Sequence, residues 1–166
     1  MRKIFYLVMG FVVLGFGGYY LFKGDSVPDS ALVSINPSQI EITPANYDIG
    51  RVVMKDGIII REYEIKNNSS EILRLKKITT SCMCTRAQVV AGDKKTRLYA
   101  MEMGGAVNPV IDFDIPANST AKLIVKFDPA AHGIQGTGPV ERVVWLTFVD
   151  PVGTREVGFS GEVVLK

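Results

Sequence analysis

The residues with most chemical potential lie in one pentapeptide, Ser81-Cys82-Met83-Cys84-Thr85, which holds the only two cysteines of the 166-residue chain. In an extended strand, Cys82 and Cys84 point the same way with Cα atoms about 6.6 Å apart, twice the rise per residue. A disulfide reaches at most about 6.8 Å between Cα atoms, so a bond within the motif sits near its limit. A strained, exposed disulfide is easily reduced, which makes the pair a redox candidate. Two convergent thiolates also suit a soft ion such as Cu(I), with Met83 or His132 assisting, although Met83 would project from the opposite face. Structural zinc requires four ligands, and two cysteines plus one histidine fall short. Against these stands a plain structural role, as a structural disulfide or as two small, partly buried side chains at a strand end. Methionine between the cysteines resists positive φ, which favours an extended motif with parallel, unbonded thiols.

Other chemistry is sparse. His132, the only histidine, lies in "DPAAHGIQG" beside a glycine-rich stretch. A pairing of His132 with Cys82 or Cys84 stays open, but no third orienting group is readable, so no catalytic residue is assigned and no enzyme is expected. Asp112 and Asp114 share one strand face, which reads as solvated. No EF-hand, HExxH, P-loop or GxGxxG pattern occurs, and no cofactor is expected. "GIQGTG" lacks the strand-to-helix setting of a phosphate loop and reads as a connection. With 19 basic and 17 acidic residues the net charge is +2, which gives no footprint for nucleic acid. The clusters Arg74–Lys76–Lys77 and Lys94–Lys95–Arg97 read as solvated faces.

Three regions must position these residues. Positions 4–22, "IFYLVMGFVVLGFGGYYLF", are uncharged and follow Arg2 and Lys3. As a helix this segment is about 28 Å long, close to the hydrocarbon core of a bilayer. The preceding positive charges place the N-terminus in the cytoplasm and export the remainder. A cleaved signal peptide is the rival, but no good small-x-small site follows Phe22, and no nearby cysteine offers a lipid attachment point. Residues 1–23 are therefore expected to form an uncleaved signal anchor, 24–37 a linker, and 38–166 a domain on the periplasmic or cell-surface side.

That domain reads as all-β. "QIEIT" places Ile40 and Ile42 on one face, "IIIREYEIKN" sets Tyr63 and Ile65 against Glu62 and Glu64, and "PVIDFDIP" aligns Ile111, Phe113 and Ile115. Further short strands are predicted in "EILRLKKIT", "RAQVVAG", "TRLYAMEM", "TAKLIVKFDP", "RVVWLTFVD" and "REVGFSGEVVLK". Turn residues separate them, including Asp150-Pro151-Val152-Gly153 as a hairpin turn. Seven or more such strands indicate an antiparallel β-sandwich, with Trp145 expected between its sheets.

The segment "EYEIKNNSSEILRLKKITTSCMCTRAQV" resembles the bacterial family called domain of unknown function 1573. Tyr63, Ile65 and Asn67, then Leu73-Arg74-Leu75, then Ser81-Cys82-Met83-Cys84-Thr85 follow its pattern, which ends in Ser-Cys-Gly-Cys-Thr. Upstream "YDIGRV" and downstream "IPANSTAKLIVKFDP" are similar to its other segments, so the likeness runs over residues 38–166. The resemblance implies an immunoglobulin-like sandwich of the hydin and major-sperm-protein kind, typically exported and without an assigned activity. Met83 replaces the usual glycine, and residues 92–109 are longer than the usual connection, as an inserted hairpin would be. Together these readings predict a membrane-anchored extracytoplasmic module that binds a protein or envelope component, with edge strands available for β-augmentation. The alternative is a thiol-redox or Cu(I)-binding protein acting through Cys82 and Cys84.

Overall fold

The computed structural model describes residues 39–150 and 152–166. The expected anchor (1–23) and linker (24–37) lie outside the described residues. Among the described residues no helix is long and apolar enough to cross a membrane.

Ten strands form two five-stranded sheets packed as a β-sandwich. In chain order they are β1 (Ile40–Thr43), β2 (Asn46–Val53), β3 (Ile59–Asn67), β4 (Leu73–Thr80), β5 (Thr85–Ala91), β6 (Lys94–Lys95), β7 (Phe113–Ile115), β8 (Thr120–Phe127), β9 (Gly138–Asp150) and β10 (Val152–Val164). One sheet runs β1-β3-β8-β5-β6 and the other β2-β10-β9-β4-β7. Alternation decides the core: Tyr63 and Ile65 on β3, Leu123 and Val125 on β8, and Leu146 and Phe148 on β9 are all buried, while the residues between them face outward. The sheets are also stitched by a polar contact. The Tyr63 hydroxyl on β3 donates to the Gly158 carbonyl on β10 at 2.6 Å.

Four sequence expectations need correction. The sandwich is not wholly antiparallel, because β2 runs parallel to β10. Trp145 is not between the sheets. It sits one residue out of phase with buried Val144, Leu146 and Phe148, so it faces outward and its indole N–H donates to Glu156 Oε2 at 3.3 Å. "TRLYAMEM" forms no strand, only an isolated bridge from Tyr99 to Ala87. The expected inserted hairpin shrinks to β5–β6, where Val90 and Ala91 pair with Lys95 and Lys94. The rest of that segment is a loop held by side chains: Asn108 Nδ2 donates to the Ala100 and Ile78 carbonyls at 2.7 and 3.2 Å, and Glu102 accepts from Asn108 N–H and Lys77 at 2.9 and 2.7 Å.

The turn from β3 to β4 depends on Asn67, which is fully buried. Its Nδ2 donates to the carbonyls of Glu71 (2.7 Å), Pro116 (2.9 Å) and Ile115 (3.2 Å), and its Oδ1 accepts from the Ser69 backbone and hydroxyl. Asn67→Ala leaves several buried groups unpaired at once. It is expected to lower stability by about 3 kcal/mol, measured by urea unfolding with an unchanged m-value.

Candidate thiol site

The two cysteines occupy the crossover between the sheets, since β4 belongs to one and β5 to the other. Thr85 N–H donates to the Cys82 carbonyl at 3.1 Å, closing a β-turn with Met83 and Cys84 at its centre. The Thr80 hydroxyl reaches the Cys82 and Thr85 carbonyls at 2.9 and 3.0 Å and braces the turn from within. Ser81 docks it onto β9: its N–H donates to the Val143 carbonyl, and its hydroxyl accepts from Val143 N–H, both at 2.9 Å. The expected extended conformation is therefore overturned. Methionine is no obstacle to this bend, because Asn118 is the only non-glycine with positive φ among the described residues. The turn uses negative φ throughout its centre, which any L-residue adopts.

Within the turn, Cys84 is buried at 3% exposure, Cys82 is half-buried, and Met83 stands outside at 52%. Both cysteines are free thiols, and Cys84 N–H points at Cys82 Sγ, 3.4 Å away.

His132 arrives from the connection after β8. Asp128 N–H donates to the Cys84 carbonyl at 2.9 Å, which ties this connection to the cysteine turn. The Asp128 carboxylate accepts from Ala130 N–H, and Gly133, at φ 58°, closes the next turn through its N–H to the Ala130 carbonyl. A short 3-10 turn follows at Gly133–Gly136. A Cβ on Gly136 would stand 3.0 Å from His132 Cβ, so glycine permits this close return. The imidazole is left exposed with Nε2 at 3.2 Å from Cys82 Sγ. Cys82 is the only hydrogen-bond partner of His132 among the described residues, so the pair has no orienting carboxylate of the kind a triad requires.

Arg142 completes the cluster and was not singled out from sequence. It lies on β9, and its Nε–H donates to Cys84 Sγ at 3.2 Å. A signal did exist: Val140, Val144, Leu146 and Phe148 form the buried face of β9, and Arg142 occupies an inward position in that series. A charge on the apolar face of an alternating strand asks for a partner.

These contacts set the two thiols apart. Burial raises the Cys82 pKa, but Cys84, His132 and Arg142 together outweigh it and hold the thiol at about 7 instead of 9.0. For Cys84, burial and the neighbouring Cys82 push the thiol up, against Arg142 and Thr85. Cys82 is thus an accessible thiolate near neutral pH, and Cys84 a shielded, protonated partner behind it. The two sulfurs and the imidazole nitrogen all lie within 4.8 Å of one another, the one such group of potential metal ligands among the described residues. Met83, the other proposed helper, lies on the exposed side of the turn.

A groove of about 400 Å³ runs up to Cys84, lined by apolar Ile58, Met83, Leu98 and Ala131 and by charged Arg86, Lys126 and Asp128. Asp112 and Asp114 are both exposed, and Asp114 pairs with Arg74 at 3.2 Å across β4–β7. That pairing fits a solvated strand face.

No family model matches the chain, and no curated protein matches it. Among solved structures, a protein of unknown function from Porphyromonas gingivalis W83 superposes with a TM-score of 0.53 at 17% identity, covering 77% of this chain and 49% of that one. A family 123 glycoside hydrolase from Clostridium perfringens gives 0.51 at 8% identity, over 72% of this chain and 23% of that one. WR4, a C. elegans MSP family member, gives 0.41 at 15% identity, over 76% of this chain and 99% of that one. The chain thus spans about half of the first structure and under a quarter of the second. At these identities the likeness is one of fold alone, an all-β sandwich.

Proposed function

We propose that the chain is a membrane-tethered extracytoplasmic interaction module whose working part is the Cys82–Cys84 dithiol, exchanging with a disulfide of an envelope protein. One observation carries the reading. Cys82 is reachable, faces His132 Nε2 at 3.2 Å, and has Cys84 two residues away in the same turn. The Cys82 thiolate attacks one sulfur of a substrate disulfide R–S–S–R′ and expels R′S⁻, leaving Cys82 joined to R. The Cys84 thiolate then attacks Cys82 Sγ and expels RS⁻. Two electrons pass to the substrate, and the module is left with a Cys82–Cys84 disulfide.

The surroundings suit a protein substrate. The apolar groove beside Cys84 accommodates a hydrophobic side chain of the partner. Three of the four sheet edges are short, with β1, β6 and β7 having four, two and three residues. The fourth, β2, has eight and is long enough to accept an added strand. The uncharged stretch at 4–22, preceded by Arg2 and Lys3, supports the tether and the export.

The test is equilibration of the full chain in detergent with glutathione redox buffers, followed by acid quenching, alkylation and intact-mass measurement. A single transition from two alkylated thiols to none, with the chain monomeric, is expected. Two free thiols at every buffer composition would end this reading.

A further inference from the structure

We propose that Cys82, Cys84 and His132 also form a three-coordinate site for a soft monovalent cation, Cu(I). The donor set points there first. Two thiolates and an imidazole favour soft metals over Mg or Ca, which take oxygen ligands. Geometry comes second. With metal–sulfur bonds of about 2.3 Å and metal–nitrogen bonds of about 2.0 Å, ligand atoms around one ion stand about 3.7 Å apart. Sγ of Cys82 and Nε2 of His132 are at 3.2 Å, and no pair in the cluster exceeds 4.8 Å. Shifts of about an ångström, within side-chain reach, close the site. The backbone bond from Asp128 N–H to the Cys84 carbonyl keeps the two contributing loops in register.

Charge selects the ion. Two thiolates and one Cu(I) leave a single negative charge, and Arg142 sits against Cys84 Sγ to neutralise it. A divalent ion would leave the cluster neutral and the charge of Arg142 without a counter-charge. Zinc would also need a fourth ligand, and among the described residues no further histidine, cysteine or carboxylate joins the group. The outer contacts suit thiolate ligands as well: Cys84 N–H faces Cys82 Sγ and Arg142 Nε–H faces Cys84 Sγ, each leaving the sulfur lone pairs free for a metal. Met83 is not a ligand in this arrangement.

Metal binding and disulfide formation use the same sulfurs and exclude each other, yet each is measured without the other. The reduced full chain in detergent is titrated anaerobically with Cu(I) against the chromogenic chelator bicinchoninate. X-ray absorption is recorded on the loaded sample. One equivalent withdrawn from the chelator, with two sulfurs and one nitrogen around copper, is expected. Cys84→Ser should abolish binding. His132→Ala should weaken it by at least about 10-fold and leave two-coordinate sulfur. No competition with the chelator, no change with His132→Ala, or tighter uptake of Zn(II) than of Cu(I) overturns the proposal. Copper binding by a protein that forms no disulfide in glutathione buffers would fail the exchange reading alone. Disulfide formation without copper binding would fail this one alone.

Discussion

Cys84→Ser should trap the module as a mixed disulfide with its substrate, while Cys82→Ser should abolish exchange. The two cysteines are two residues apart, so this asymmetry has to come from their surroundings. Cys82 is half-buried with a thiol pKa of about 7, whereas Cys84 is 3% exposed with its pKa raised. At pH 7 about half of Cys82 is thiolate, whereas burial and the neighbouring Cys82 keep Cys84 protonated. Cys84 therefore has neither the charge nor the access to begin an attack. It needs no outside access to finish one, because Cys82 Sγ is adjacent; with Cys82 tied up in the mixed disulfide, one cause that raises the Cys84 pKa is gone, and the Cys84 proton passes to the departing RS⁻. With Cys84 as serine, the second step has no nucleophile and the mixed disulfide persists. The check is incubation with an oxidised cysteine peptide bearing a leucine beside its cysteine, followed by non-reducing mass measurement. Wild type should release free peptide thiol and Cys84→Ser should accumulate the adduct. Cys82→Ser should react at least about five-fold more slowly than wild type from the difference in thiol pKa alone, and more slowly again because Cys84 is buried. Equal adduct yields from the two single variants would mean that the surroundings do not rank the thiols.

How far the sequence shows this site differs from residue to residue. The sandwich core is legible because a buried strand face repeats every second residue, and Tyr63/Ile65 and Phe113/Ile115 follow that rule in the structure. Phase is harder to read than period. The apolar run around Trp145 suggests an inward ring, yet the phase of Val144, Leu146 and Phe148 settles the face, and the same count marks Arg142 as an inward charge. The parallel pairing of β2 with β10 joins segments more than a hundred residues apart, and no local pattern announces it. The turn at Cys82–Thr85 was missed for a different reason. The glycine of the family pattern suggested that a bend there needs positive φ, whereas the structure bends through conformations open to methionine. The meeting of Cys82 with His132 across 50 residues depends on β5 pairing with β8, which sets the two loops side by side.

The reactivity of Cys82 should have its midpoint near pH 7, and His132→Ala should move that midpoint upward. The sign follows from which form each neighbour favours. Burial opposes the thiolate, while donors from Cys84 and His132 and the charge of Arg142 favour it, and the second group prevails. Removing the imidazole deletes one donor to the charged form, so the thiol holds its proton to higher pH. Arg142→Gln should act in the same direction but mostly on Cys84, whose sulfur it contacts. The rate gain at neutral pH is smaller than the thiolate fraction suggests. Lowering a thiol pKa by about two units raises the thiolate population at pH 7 about 50-fold but reduces its intrinsic nucleophilicity about 10-fold, which leaves about a five-fold advantage. Iodoacetamide labelling of Cys82 in the Cys84→Ser background, followed from pH 5 to 10, reads the midpoint directly. That background puts a hydroxyl donor in place of the Cys84 thiol, so the comparison is made within it, and the double variant with His132→Ala should have the higher midpoint. An identical midpoint in the presence and absence of His132 would reduce the 3.2 Å contact to mere proximity, and with it the assignment of Cys82 as the attacking thiol.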